Sequence, residues 1–221
     1  MSRFNAVLIG VAVVGGVAIW YAAAAKPQPA ALGPGGAAPA PAADGFAGFT
    51  LGNDSAPVEV VEYADFECPA CAQFAVVQMP TIRQQLIETG KVRWRHRDFP
   101  LPSHRYARFA SHAAHCGAEQ GKFWEMHDAL FNDHSWAQTG RDPSRLFRQF
   151  AVRIGLDARA YDACMESGRQ AGRIEASRLE GERLGVSGTP TFFLNGRRFG
   201  GRSNASDEFK RMVDSLIAAG R

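Results

Sequence analysis

Two cysteines three residues apart, in Cys68-Pro69-Ala70-Cys71, are the residues of this chain best suited to do chemistry. On a helix that spacing makes the two side chains neighbours on one face, within the narrow separation that a disulfide requires, so the bridge can form and break with little backbone movement. At the start of a helix the unpaired N–H groups and the positive end of the dipole favour a thiolate at Cys68. Pro69 costs nothing there, because its missing N–H would have no partner. Cys68 is therefore the expected nucleophile and Cys71 the partner that resolves mixed disulfides. The chemistry needs no cofactor beyond the redox-active disulfide itself.

The elements around the pair read in order. The apolar-rich run 58–63 is a buried strand, and a short loop leads from it into the helix that opens at Cys68. Phe74, Val77, Ile82, Leu86 and Ile87 continue that helix, Pro80 is expected to kink it, and Gly90 closes it. A second strand, 91–97, carries Val92, Trp94 and His96 on one face, and strand–helix–strand implies a parallel pair. About seventy helical residues follow, with helices expected over 105–120, 122–131, 143–152 and 158–167, and with Phe123, Trp124, Phe131 and Phe147 as core residues. A helix over 173–184 ends at Gly185. Strands 191–194 and 197–200 then flank Asn195-Gly196, the strongest local hairpin signal. Ser206 caps a last helix, 207–219.

Other candidate sites read more simply. Arg93, Arg95, Arg97, Arg105 and Arg108 lie close together, but the net charge is only +3 and no nucleic-acid-binding motif accompanies them, so a solvated strand face and no nucleic-acid partner are expected. His112, His115 and Cys116 could ligate a metal, yet they share a helix with packing residues, and no metal is expected. Cys116 and Cys164 both fall in the helical segment. If bridged, they close a loop of roughly fifty residues, for which chain entropy gives up to ~4 kcal/mol, against ~2 kcal/mol for the four-residue loop at Cys68. Free buried thiols and a second redox relay are the competing readings of that pair, and an oxidising compartment favours the bridge.

That compartment is read from the N-terminus. Residues 4–25 carry no charge, Arg3 and Lys26 flank them, and at ~1.5 Å per residue they would cover about 33 Å, enough to span a bilayer. Residues 1–26 are thus a transmembrane anchor or a signal peptide, for which Ala22 to Ala25 offers a cleavage site; the length favours the anchor. Either way the rest of the chain is exported. Residues 27–48, rich in Ala, Pro and Gly, form a linker, and the folded domain is expected over 49–221 with a helical insertion over about 102–172.

The segments V-E-Y-A-D-F-E-C-P-A-C, H-R-D-F-P-L, E-Q-G-K-F-W-E-M-H-D-A-L-F and G-V-S-G-T-P-T-F-F-L-N-G, in that order, resemble the DsbA-like thiol:disulfide oxidoreductases. The resemblance implies an α/β thioredoxin fold with an inserted helical subdomain. It also implies a cis Pro190 beside the disulfide, with the Thr189 backbone offering strand-like hydrogen bonds to a substrate polypeptide. Glu62 is placed beneath the disulfide as a proton carrier for Cys71, with a partly exposed strand carboxylate as its other reading, and a bridged Cys116–Cys164 is supported. The implied partners are reduced or unfolded exported proteins and a membrane thiol oxidase that restores the disulfide at the periplasmic or extracytoplasmic face. Pro69-Ala70 is not the Pro-His of the best-known strong oxidants, so disulfide formation stands beside reduction or isomerisation, and beside a chaperone-like module without redox turnover. Glu67, next to Cys68, would oppose a thiolate there if its charge lay close.

Overall fold

The computed structural model describes residues 45–200 and 206–220. The expected membrane or signal segment, and the linker up to residue 44, lie outside the described residues. Among the described residues no helix is long and apolar enough to cross a membrane.

Strand β2 (Val58–Ala64) is buried along its whole length except at Glu59, as its near-continuous apolar sequence demands of a strand covered on both faces. It is the centre of a five-stranded sheet ordered β1 (Phe49–Leu51), β3 (Val92–Asp98), β2, β4 (Thr191–Leu194), β5 (Arg197–Arg198). β3 runs parallel to β2, with Glu62 opposite His96, while β4 pairs antiparallel on the other side, with Glu62 opposite Phe192. The hairpin between β4 and β5 turns at Asn195 and Gly196, both at positive φ. The Asn195 side chain accepts the Glu59 N–H at 2.7 Å and so ties the turn to β2.

Three residues of β1 pair antiparallel with β3, an edge too short to leave a periodic signal. Phe46 and Ala47, which the composition places in the linker, are held against this edge: Arg97 donates to the Phe46 carbonyl and Arg95 to that of Ala47, both at 2.9 Å. The arginines of β3 are largely committed to the fold. Arg93 and Arg95 converge on Glu59 at 2.6 and 2.5 Å, and Arg97 forms a buried ion pair with Glu180.

The helical stretch 69–87, here α1, is not a plain kinked helix. Five-residue π turns, Phe74–Gln78 and Arg83–Ile87, flank the α segment Met79–Ile82 that holds Pro80. A proline's missing N–H breaks the helical hydrogen-bond ladder, and the wider turns on either side absorb the break. The helical insertion contains α2 (Ala107–Ala118), α3 (Phe123–Asn132), the short α4 (Trp136–Thr139), α5 (Ser144–Arg153) and α6 (Ala158–Ser167). α7 (Ala171–Arg183) and α8 (Ser206–Ala218) complete the helices among the described residues. Ser206, expected to cap α8, is its first residue and donates its N–H to the Gln78 side chain at 3.1 Å.

Among the described residues, three apolar clusters follow from this layout. α1 and α8 cover one face of the sheet through Phe74, Ile82, Trp94, Phe192 and Phe209. α7 reaches the other face, where Val61, Tyr63 and Phe193 lie, and its Gly181 sits so close that a Cβ would meet Phe99 at 2.6 Å. The third cluster fills the insertion with Phe123, Phe131, Phe147 and Phe150, and it takes in Cys68 and Cys71. The cysteine pair thus stands at the seam between sheet and insertion.

Candidate active site

Cys68 occupies the N-cap of α1 in extended conformation, with Pro69 as the first helical residue, as the dipole argument requires. The two sulfurs differ in access: Cys68 is 6% exposed and Cys71 fully buried, while Pro69 and Ala70 between them are exposed. The Thr189–Pro190 peptide bond is cis, and the Thr189 carbonyl stands 3.4 Å from the Cys68 sulfur, accepting from its thiol. Distant sequence therefore meets at one point.

Both cysteines are reduced here, and their protons are unequally held. A hydrogen bond with the Cys71 thiol is the main cause that brings Cys68 down to about 5. Burial opposes the shift, and the Thr189 side chain and the backbone of Cys71 and Ala70 add to it. Burial pushes Cys71 well above the ordinary thiol range, helped by its bond to Cys68, the Cys68 charge and the Glu62 charge. One thiolate and one thiol share the site at neutral pH. Titrating the reduced protein by ultraviolet thiolate absorbance is expected to give a midpoint near 5 that vanishes in Cys68→Ser; a first midpoint in the ordinary range of about 8.5 would contradict the geometry. The linkage has a definite sign. Because the folded value is depressed, Cys68 stabilises the reduced protein above the unfolded-state value, and that contribution is lost as pH falls toward 5. The oxidised protein has no such titration, so its stability relative to the reduced form is expected to improve as pH falls across this window.

Glu62 is 3% exposed on β2, and the Trp94 indole N–H donates to its carboxylate at 3.0 Å. Burial raises its proton affinity, partly offset by His96 and the Trp94 bond. It is thus a buried acid whose charge acts on Cys71, not a partly exposed strand carboxylate.

Asp65 and its neighbours hold the approach loop, a role that spacing alone does not disclose. Asp65 is fully buried and accepts the Glu67 N–H at 2.7 Å, the Leu101 N–H at 2.8 Å and the His104 ring N–H at 2.7 Å. Its carbonyl accepts the Cys68 N–H, and His134 donates to the Phe66 carbonyl at 2.9 Å. The Glu67 carboxylate accepts the Tyr106 N–H at 2.5 Å. An acid three residues before a cysteine N-cap was the available signal, since Asp side chains commonly bond the backbone two residues on.

Cys116 and Cys164 form a disulfide that joins α2 to α6, with Cα atoms 5.7 Å apart. The residues weighed as metal ligands have other partners: His112 lies 3.0 Å from the Cys164 carbonyl, and His115 donates to Asp98 at 2.7 Å.

Known proteins share this architecture. The profile of the family described as Thioredoxin matches residues 46–215. A Na(+)/H(+) antiporter, NhaA 3 of Salinispora tropica, is 44% identical over 171 residues, covering 77% of this chain and 25% of the antiporter. The chain therefore spans about a quarter of the length of such curated relatives. Among solved structures, alpha-DsbA1 of Wolbachia pipientis has a TM-score of 0.68 at 25% identity, over 77% of this chain and 91% of that one. Oxidised BdbD from Bacillus subtilis also has a TM-score of 0.68, at 23% identity, over 76% of this chain and 92% of that one. With the profile covering most of its length and a helical insertion in its fold, the chain belongs to the thioredoxin family, as a DsbA-like thioredoxin-fold protein.

Proposed function

We propose that the protein is an exported thiol:disulfide oxidoreductase that passes its Cys68–Cys71 disulfide to reduced, folding proteins. The observation that carries this reading is the asymmetry of the two sulfurs: Cys68 is a reachable sulfur whose thiolate is stabilised, and Cys71 is sealed and holds its proton. A substrate thiolate attacks the Cys68 sulfur and the Cys68–Cys71 bond breaks. Cys71 leaves with the electron pair and takes a proton, supplied by Glu62. A second substrate thiolate then attacks the substrate sulfur of the mixed disulfide, and Cys68 departs as a thiolate. A leaving thiol of low pKa departs faster, and a stabilised reduced form makes the couple more oxidising. Net, the substrate loses two electrons and two protons; one proton stays on Cys71 and one reaches solvent.

Thr189 and Pro190 receive the substrate backbone beside Cys68. The Thr189 carbonyl that accepts from the protonated Cys68 thiol is available once that sulfur is a thiolate or is held in a mixed disulfide. The charge-free segment before Lys26 supports an extracytoplasmic location with membrane attachment, where a membrane thiol oxidase restores the disulfide. Adding oxidised full-length protein to a reduced, unfolded two-cysteine protein tests the reading. Substrate disulfide should appear in step with free Cys68 and Cys71 thiols. A substrate that stays reduced beside an intact Cys68–Cys71 disulfide would overturn the reading.

A further inference from the structure

Each exchange puts a proton on Cys71 or takes one off, and both Cys71 and Glu62 are buried. A sealed acid can serve once; to serve again it must be refilled. The side chains around Glu62 show where a proton can travel.

Across the parallel pair from Glu62 stands His96, fully buried, with no hydrogen-bond partner on either ring nitrogen among the described residues. An unpartnered buried imidazole is costly, which argues for a use. From His96 two ways lead outward. One goes to Asp98, 3.7 Å from the His96 ring, and on to His115. It ends there, because His115 is 1% exposed, has an unpartnered second nitrogen and packs against Phe46, Phe49 and Phe123. The Asp98–His115 pair supplies a fixed counter-charge, not an exit.

The other way goes to α3. The His127 ring is perpendicular to that of His96 with centroids 5.5 Å apart, and its Nδ1 donates to Asp128 at 2.9 Å. Asp128 is 40% exposed, is paired with Arg83 at 3.4 Å, and lines a surface cavity of about 250 Å³ with Phe131 and Asn132. Burial keeps His127 neutral, down to about 4, and a neutral imidazole can accept a proton on one nitrogen while releasing one from the other. We propose that His96, His127 and Asp128 form a proton path from the Glu62–Cys71 pair to solvent, so that the proton of each exchange crosses the helical insertion instead of the cysteine face. The path rests on the reading that Cys71 gains and loses a proton with Glu62. It moves protons only, and the electrons stay with the sulfurs.

These are positioning residues that act through Glu62, and their test must separate proton supply from packing. The full-length oxidised protein is reduced with excess dithiothreitol across pH 5 to 9, and the rate is followed for wild type, Asp128→Asn and His127→Asn, with and without added imidazole. Asp128→Asn keeps an acceptor for the His127 N–H on an exposed side chain, so it should fold even if the buried variant does not. The expected result is a slowing of about tenfold, below the usual range for a direct general acid. The pH profile should change, imidazole should restore the rate through the cavity, and the Cys68 titration should stay unmoved. Wild-type rates and pH profile in Asp128→Asn would overturn the path, as would a slowing that imidazole does not relieve. Because dithiothreitol replaces the protein substrate, the path can fail while disulfide transfer succeeds, and disulfide transfer can fail while the path holds.

Discussion

Full-length protein carrying Cys68→Ser is expected to lose all oxidation of a reduced dithiol protein, to the uncatalysed rate, while unfolding at close to the wild-type temperature. Serine keeps the shape at the N-cap but forms no disulfide. The remaining Cys71 cannot take over, because it is fully buried and burial holds its proton at neutral pH. The reciprocal variant Cys71→Ser should behave differently. Cys68 remains a reachable thiolate, so this variant should accumulate a mixed disulfide with an activated substrate that mass spectrometry can detect. Substantial dithiol oxidation by Cys68→Ser would mean that another group does the chemistry.

The second large effect concerns stability. Joint replacement of Cys116 and Cys164 by alanine is expected to lower unfolding stability by about 2–4 kcal/mol, the range set by closing a loop of this length and by typical native disulfides. The bridge crosses from α2 to α6 between residues 48 apart in sequence, and it sits where Phe147 and Phe150 of the insertion pack. Denaturant unfolding of the double variant measures the loss. The titration of Cys68 should not move with it, since the groups that lower Cys68 are Cys71, Thr189 and the backbone of Cys71 and Ala70. A stability change near zero, or a shifted Cys68, would show that the bridge does not serve the insertion alone.

Much of this architecture was legible because it rests on local rules. The strand before Cys68 is buried on both faces and so reads as an apolar run. Pro69 marks the first helical turn, and Asn195-Gly196 marks the hairpin. The meeting of Thr189 with Cys68 was legible only through resemblance, because no periodicity links residues 121 apart. β1 leaves no sequence signal because three residues carry too little pattern, and the place of Phe46 depends on Arg97 and on ring contacts with Phe49 and His115. Asp65 is one acid among several in the sequence, and its role depends on three donors that come together from 67, 101 and 104. In the sequence His96 shares a strand face with Val92 and Trp94, and packing is part of what His96 and His127 do. Their polar side appears only when a parallel strand pair and a helix from the insertion bring them against Glu62 and against each other. Burial of charge and proton is a tertiary property, and one-dimensional spacing does not encode it.

The direction of electron flow turns on how strongly the fold stabilises the Cys68 thiolate. The structure supplies that stabilisation from the Cys71 thiol, Thr189 and backbone N–H groups, without the histidine that the strongest oxidants of this kind carry between their cysteines. Reduction potential reports the sum directly. Equilibrating the full-length protein with defined glutathione ratios, and quantifying oxidised and reduced Cys68–Cys71 by mass, should place the couple well above the reducing value of about −270 mV, toward the oxidising one of about −120 mV. A value near the reducing one of about −270 mV would contradict disulfide donation and make the protein a reductant.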